Sequence, residues 1–567
     1  ADPRGRPATT SHARRATPPA GTQATQEAQM PDDTNLTGTV PQADGASAVP
    51  VPGPDPAVTP AATPADACAD LEALDRLERT LFSLRYAAGE VSSLGSVIDP
   101  PAACADRGEA LATLMQAWCE ALCAPEVGPL LDRLAARDDL AGGYRADQVR
   151  ILRRDRASML DVPPELQAEL SRLTCEADEV WHRTKAASDW SSFSPYLDRI
   201  VDVQRRCAQA KDPSRDPYDV LLNEYEWGAD RSLYDPFFDR VRECVVPLLA
   251  DCMASRHQPD RSVVEGTFDA ERQWRLAEDL VDLEGIDRDA LWLGRTEHPF
   301  TGGPSGSFVI LASHVYEDDL LSNVFSMLHE GGHALVEQGV ARELRQTSLA
   351  GVSNMALHES QSRFFENVVG RSEAFAGPLL EALRRSFPGQ FARVTPHQLY
   401  LAENVVAPSL IRTEADELTY PLHVLVRYEI EQLLLSGEAR ADDVPRLWAE
   451  KYRAYLGVEV PDDAHGALQD VHWSGGSLGY FPTYALGTAF AAQFRDAMVA
   501  GGMDFDGTLA SGDLAPVRDW LRERVWKWGR SKDSLEIVEL ACGEPFSPEH
   551  YTDYLTRKYS ALYRLGA

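Results

Sequence analysis

From Cys68 onward the chain reads as helix. Leu71, Leu74, Leu77, Leu81 and Leu84 recur at steps of three and four, which places them on one face of a helical period. The same spacing returns near Leu111–Leu122, Val149–Leu173, Pro236–Met253, Pro378–Phe387, Leu425–Leu435 and Val517–Trp526, and each stretch is expected to be helical. Strand patterns are scarce; the best runs Ser307–Ser313. No internal repeat is visible. The pattern therefore predicts one large, mainly α domain over residues 68–567 with a small β-sheet. Asp235-Pro236-Phe237 reads as a helix start, with Asp as N-cap and Pro at the first helical position. Pro421 reads as a kink inside a helix.

Residues 1–67 depart from this texture. Positions 1–65 hold 12 of the 37 prolines and no Phe, Trp or Tyr. Such a segment buries too little apolar surface to offset its ordering entropy, so disorder is expected there. It has no apolar core of a secretory signal, and its prolines oppose the amphipathic helix of a transit peptide. The 88 acids against 55 bases give a formal charge of -33. That charge disfavours nucleic acid and anionic membrane surfaces as partners. No apolar run approaches the roughly 20 residues needed to span a bilayer. The nine cysteines form no CxxC pair, which suits reduced, mostly buried thiols in a cytoplasmic protein.

The chemistry concentrates in His329-Glu330-Gly331-Gly332-His333. On a helix, His at i and i+4 places two imidazoles on one face, one turn apart, as a tetrahedral Zn²⁺ requires of two ligands. Glu330 lies about 100° around the helix from His329. From that flank its carboxylate can take a proton from a metal-bound water. Val324, Phe325, Met327, Leu328, Ala334 and Leu335 make the helix apolar on several sides, and a buried helix seldom carries two His and a Glu without a partner. Gly332 is explained if another backbone or a substrate packs closely against that turn. A catalytic zinc takes a third protein ligand. Glu359, 26 positions after His333, is within reach of a returning helix, and His358 is its rival. Glu366, seven residues on, shares a face with Glu359.

These residues, with several others in order, resemble the M32 metallocarboxypeptidases, the carboxypeptidase Taq family. That family carries HExxH followed by an HES-Q element whose Glu is the third zinc ligand; here these are His329–His333 and His358-Glu359-Ser360-Gln361. Asp235-Pro236-Phe237, His298-Pro299-Phe300, Ile411-Arg412-Thr413-Glu414-Ala415-Asp416, Gly466 to Trp473 and Gly479 to Tyr484 match further family elements, from about residue 70 to the C-terminus. The resemblance implies a large helical zinc-peptidase fold of the neurolysin and angiotensin-converting-enzyme type, with two helical halves around a deep groove. It also implies a homodimer that releases single C-terminal residues from peptides with broad specificity, using one Zn²⁺ per chain for which Co²⁺ can substitute.

On that reading Glu330 is the base, and Tyr480, Tyr484 and His472 are candidates to stabilise the oxyanion. Arg412 is expected to bind the substrate carboxylate through its planar fork, with an i+4 pair to Asp416 as its structural alternative. His298 and Gln469 are further candidates for the substrate side, and Asp470 and Gln469 could instead orient His472 or the helix ends. The strand before HExxH, usually polar in the family, is Phe308–His314 here, so side-chain preference is open. A zinc endo-oligopeptidase on the same fold is the rival function, and a non-catalytic peptide-binding scaffold a third.

Overall fold

The computed structural model describes residues 64–98, 100–296, 298–352 and 354–566. The extension expected to be disordered lies outside them, except that a helix already begins at Pro64. That helix, Pro64–Val97, packs on Cys104–Cys123 around a small core of its own that includes Leu74, Leu81, Leu122 and Leu131. Nearly all remaining helices share one continuous core.

The sheet has three strands: β1 (Leu291–Arg295), β2 (Phe300–Ser305) and β3 (Phe308–Ser313), in the order β1-β3-β2. β1 runs parallel to β3, with Leu291 opposite Val309; β2 runs antiparallel, with Phe300 opposite Ala312. Central β3 is covered on both faces, which is why Val309, Ile310, Leu311 and Ala312 form a continuous apolar run rather than an alternation. β3 feeds the helix Leu320–Gly339, which carries the HExxH residues. Leu320, Val324, Met327, Leu328, Ala334 and Val336 are all buried, so this helix is enclosed on several sides.

Four expectations are corrected. The pattern Val149–Leu173 spans two helices, Tyr144–Leu160 and Pro164–Ala187, because Pro163-Pro164 stops one and starts the next. The helix around Asp235 begins earlier, at Arg231, capped by Asp230; Pro236 sits inside it, and Asp235 accepts a 2.6 Å hydrogen bond from the Tyr428 hydroxyl. Pro421 does not kink a helix interior: it occupies the first turn of Tyr420–Ser436, where its missing N–H is not needed. The thiols are not mostly buried. Cys207 and Cys252 are, whereas Cys68, Cys104 and Cys175 are exposed. Among the described residues no helix is long and apolar enough to cross a membrane.

Candidate metal centre

His329, His333 and Glu359 converge, their ligand atoms all within 4.8 Å of one another. Glu359 Oε2 lies 3.9 Å from His329 Nε2 and 3.8 Å from His333 Nε2. Glu359 sits on the return helix Met355–Arg363, and glycine sets how closely that helix approaches on two sides. A methyl on Gly332 would lie 2.4 Å from the Gln361 carbonyl oxygen, and one on Gly487 would lie 2.9 Å from Glu359 Cβ. The close backbone expected at Gly332 is therefore the return helix itself. Glu226, fully buried, accepts from Ala356 N (3.0 Å) and Asn354 Nδ2 (3.1 Å) and so anchors the start of that helix. The rival His358 lies outside the group: it stacks on His333 with ring centres 4.2 Å apart, and its Nε2 is 3.2 Å from Glu337.

Two of the three, His329 and Glu359, have their other polar atom held by a neighbour. Helical geometry changes at Phe364 to a π-helical segment, Phe364–Gly370, a form frequent at functional sites. Within it Glu366 Oε2 lies 2.9 Å from His329 Nδ1, leaving Nε2 for an ion. Arg363 donates to Glu359 Oε1 (2.7 Å) and to Glu366 Oε2 (3.1 Å). Burial opposes ionisation of Glu366, but Arg363 and the His329 hydrogen bond outweigh it and bring its pKa down to about 2. Burial also opposes protonation of His329, yet Glu359 and Glu366 raise its pKa above the ordinary 6.5. His333 goes the other way: burial, His358 and His329 hold it neutral, well below the usual range.

Glu330 is buried beside this group. The Thr301 hydroxyl, on β2, lies 2.7 Å from its Oε2 and 2.8 Å from its carbonyl oxygen. Burial raises the Glu330 pKa, against the opposing pull of His329 and Thr301.

The remaining predicted residues fall into a second cluster. Tyr484, on the helix Pro482–Ala500, lies one turn before Gly487 and so shares the face turned to Glu359. Its hydroxyl is 3.3 Å from His472 Nε2, and the Tyr480 ring centre is 5.5 Å from that of His472. Arg412 is 1 % exposed. It donates to Tyr420 Oη (2.9 Å), its Nε is 3.3 Å from Asp470, and its guanidinium lies 5.0 Å from the Tyr484 ring centre. The Tyr420 ring lies in turn 4.1 Å from the Arg363 guanidinium, so one aromatic ring separates Arg412 from the arginine that holds Glu359.

The structural alternative for Arg412, an i+4 pair with Asp416, is not formed: Asp416 accepts from the backbone N–H of Ala407, Leu418 and Thr419 instead. Asp470 is shared by Arg412 and Arg427, and these two override the effect of burial to hold its carboxyl well below the usual range. The Gln469 amide is engaged internally, accepting from Arg412 N and Arg427 and donating to Leu410 O, an arrangement that positions Arg412. His298 is half-buried just before β2 and sits near His314 across the β2–β3 pairing.

Sequence reasoning missed Thr301, Arg363, Tyr420, Glu226 and the role of Glu366. Arg363, lying i+4 from Glu359 and i−3 from Glu366, and the role of Glu366 itself were within reach; Thr301, Tyr420 and Glu226 come from remote segments.

Comparison with known proteins agrees with this geometry. The profile of the carboxypeptidase Taq (M32) metallopeptidases matches residues 90–559. Carboxypeptidase 1 of Bacillus subtilis is 36% identical over 460 residues, covering 81% of this chain and 92% of that protein. Thermostable carboxypeptidase 1 of Thermus thermophilus is 36% identical over 470 residues, with the same coverage of 81% and 92%. The crystal structure of an M32 carboxypeptidase from Deinococcus radiodurans superposes with a TM-score of 0.84 at 33% identity, covering 88% of this chain and 100% of that one.

Proposed function

Because the chain belongs to the carboxypeptidase Taq (M32) metallopeptidase family, we propose that it removes single residues from the free C-terminus of peptides, with broad specificity and with Zn²⁺ held by His329, His333 and Glu359. The observation that carries the reading is that the three ligand atoms converge while the second polar atom of two of them is already engaged: Glu366 takes His329 Nδ1 and Arg363 takes Glu359 Oε1. Two imidazoles and one carboxylate form a donor set that suits zinc. The two His–Glu separations of 3.8 and 3.9 Å are close to the ~3.4 Å edge of a tetrahedral zinc site. The proposed homodimer, with two helical halves around a groove, belongs to the same reading.

A divalent ion bound there supplies Lewis acidity for the water and the scissile carbonyl. Glu330 takes the proton of the attacking water and delivers it to the leaving nitrogen. Thr301 fixes Glu330 Oε2, which leaves Oε1 for that exchange. Its raised pKa suits a base that must give its proton back. His472, Tyr484 and Tyr480 supply donors to the developing oxyanion. Arg412 binds the terminal carboxylate, held in place by Asp470, Gln469 and Tyr420.

The test is to incubate the full chain with a peptide and its C-terminally amidated twin, with and without chelator, and to weigh the products. Stepwise loss of single C-terminal residues from the free peptide, abolished by chelator and by amidation, supports the reading. Internal cleavage of the amidated peptide would establish the endo-oligopeptidase instead.

A further inference from the structure

Glu431 is fully buried in the C-terminal half of the helix Tyr420–Ser436 and is not one of the three candidate ligands. Three donors from other segments fill its carboxylate. Trp473 Nε1 donates to Oε1 at 2.8 Å; Gly479 N and the Tyr218 hydroxyl donate to Oε2, each at 2.9 Å. A buried carboxylate is costly unless it is bonded in this way. Two of the three donors belong to one loop. Trp473 directly follows His472, and Gly479 directly precedes Tyr480.

Between these two points the chain turns back on itself, with Ser477 N donating to His472 O (2.9 Å) and Gly476 N to Trp473 O (3.1 Å). Gly479 has φ +95°, and a methyl there would lie 3.0 Å from the Leu221 carbonyl carbon, so this end is pressed against the helix Pro217–Tyr225. Closing the loop brings the Tyr480 ring centre within 5.5 Å of His472 and 5.1 Å of Tyr484.

We propose that Glu431 is a positioning residue: its carboxylate clamps both ends of the 473–479 loop and so sets His472 and Tyr480 against the reacting carbonyl. The role of those two side chains rests on the function proposed above; the clamp itself does not.

The test compares the metal-loaded full chain with Glu431→Gln. The amide keeps one acceptor oxygen but turns an NH₂ toward a donor, releasing one end of the loop. The proposal expects kcat to fall about 10- to 100-fold, with KM for a free-C-terminus peptide and metal content per chain unchanged. Amide hydrogen exchange across 473–479 should quicken whether or not substrate is turned over. In a Tyr480→Phe background the same substitution should cost clearly less than in wild type, because part of the penalty acts through the Tyr480 hydroxyl and the rest through His472.

Should Glu431→Gln fail to fold, Trp473→Phe removes one bond only and should give a smaller, still kcat-selective loss. Unchanged loop exchange overturns the clamp, as does a fall in activity that tracks loss of metal. An equal penalty in the Tyr480→Phe background overturns the part of the link to catalysis that runs through Tyr480. A wild-type kcat in Tyr480→Phe alone refutes instead the oxyanion role of Tyr480, and loop exchange still decides the clamp.

Discussion

Replacing Gly332 by alanine adds one methyl group at the tightest point between the two ligand-bearing helices. In an open helix the change would stabilise by about 1 kcal/mol. Here the methyl would lie 2.4 Å from the Gln361 carbonyl oxygen and 2.7 Å from Ser362 Cα. Both are backbone neighbours, which cannot rotate away as a side chain can. Restoring contacts of about 3.5 Å requires the helices to part by about 1 Å, and overpacking of this kind costs about 1–3 kcal/mol. Gln361 is two residues from Glu359, so the ligand moves with the helix. The separations of 3.8 and 3.9 Å between Glu359 and the two imidazoles would then exceed the ~4.2 Å that one ion can span with bonds of about 2.1 Å. Metal affinity is expected to fall about 100-fold, or ~2.7 kcal/mol, read by competition with a chromophoric chelator, and the melting temperature is expected to drop. Gly108→Ala is the control: no atom lies within 4 Å of its added methyl, so stability should rise by up to about 1 kcal/mol with metal binding untouched. A Gly332→Ala protein that binds metal as tightly as wild type and melts no lower would refute the role assigned to this contact.

Glu366→Gln should weaken metal binding about 10- to 100-fold while leaving the fold intact; an unchanged dissociation constant would show that the His329 hydrogen bond does not tune the site. The raised pKa of His329 means that the metal-free protein holds a proton there above pH 6.5, a stabilising interaction that is lost as pH rises through the folded value. An ion must displace that proton, so apparent metal affinity should fall about tenfold per pH unit below this pKa, starting above pH 6.5, and calorimetry in two buffers should show one proton released; flat affinity down to pH 6 would contradict this. His333, already neutral, should add nothing to that slope. Arg412→Lys keeps a charge beside Asp470 but loses the fork, so KM for free-C-terminus peptides should rise about 10- to 100-fold with kcat less affected; unchanged KM would move the carboxylate site elsewhere.

The helical architecture was readable because its periods are long and regular, and the paired imidazoles of the candidate site were readable because two His one turn apart stand out on an apolar helix. Where prolines stand in or near helices the reading was less accurate. Pro163-Pro164 split one apolar pattern into two helices, while Pro236 is tolerated inside one. The choice between Glu359 and His358 turned on tertiary packing, because Gly332 and Gly487 fix how the return helix approaches. The supporting groups were hidden for a different reason. Thr301, Glu226 and Glu431 act across 29, 130 and 48 positions on Glu330, Ala356 and Gly479. Long-range hydrogen bonds of this kind leave no periodic trace. Arg412 shows the same limit, since its local spacing pointed to Asp416 but its partner, Asp470, is 58 positions away.

The central claim is that three side chains hold one ion while Glu330 does the proton work beside it. It is tested most directly by measuring metal per chain and turnover of a free-C-terminus peptide for Glu330→Gln and Glu359→Gln side by side. The account predicts one ion per chain and no turnover in the first, and loss of both in the second. Substantial turnover by Glu330→Gln, or full metal retention by Glu359→Gln, would contradict it.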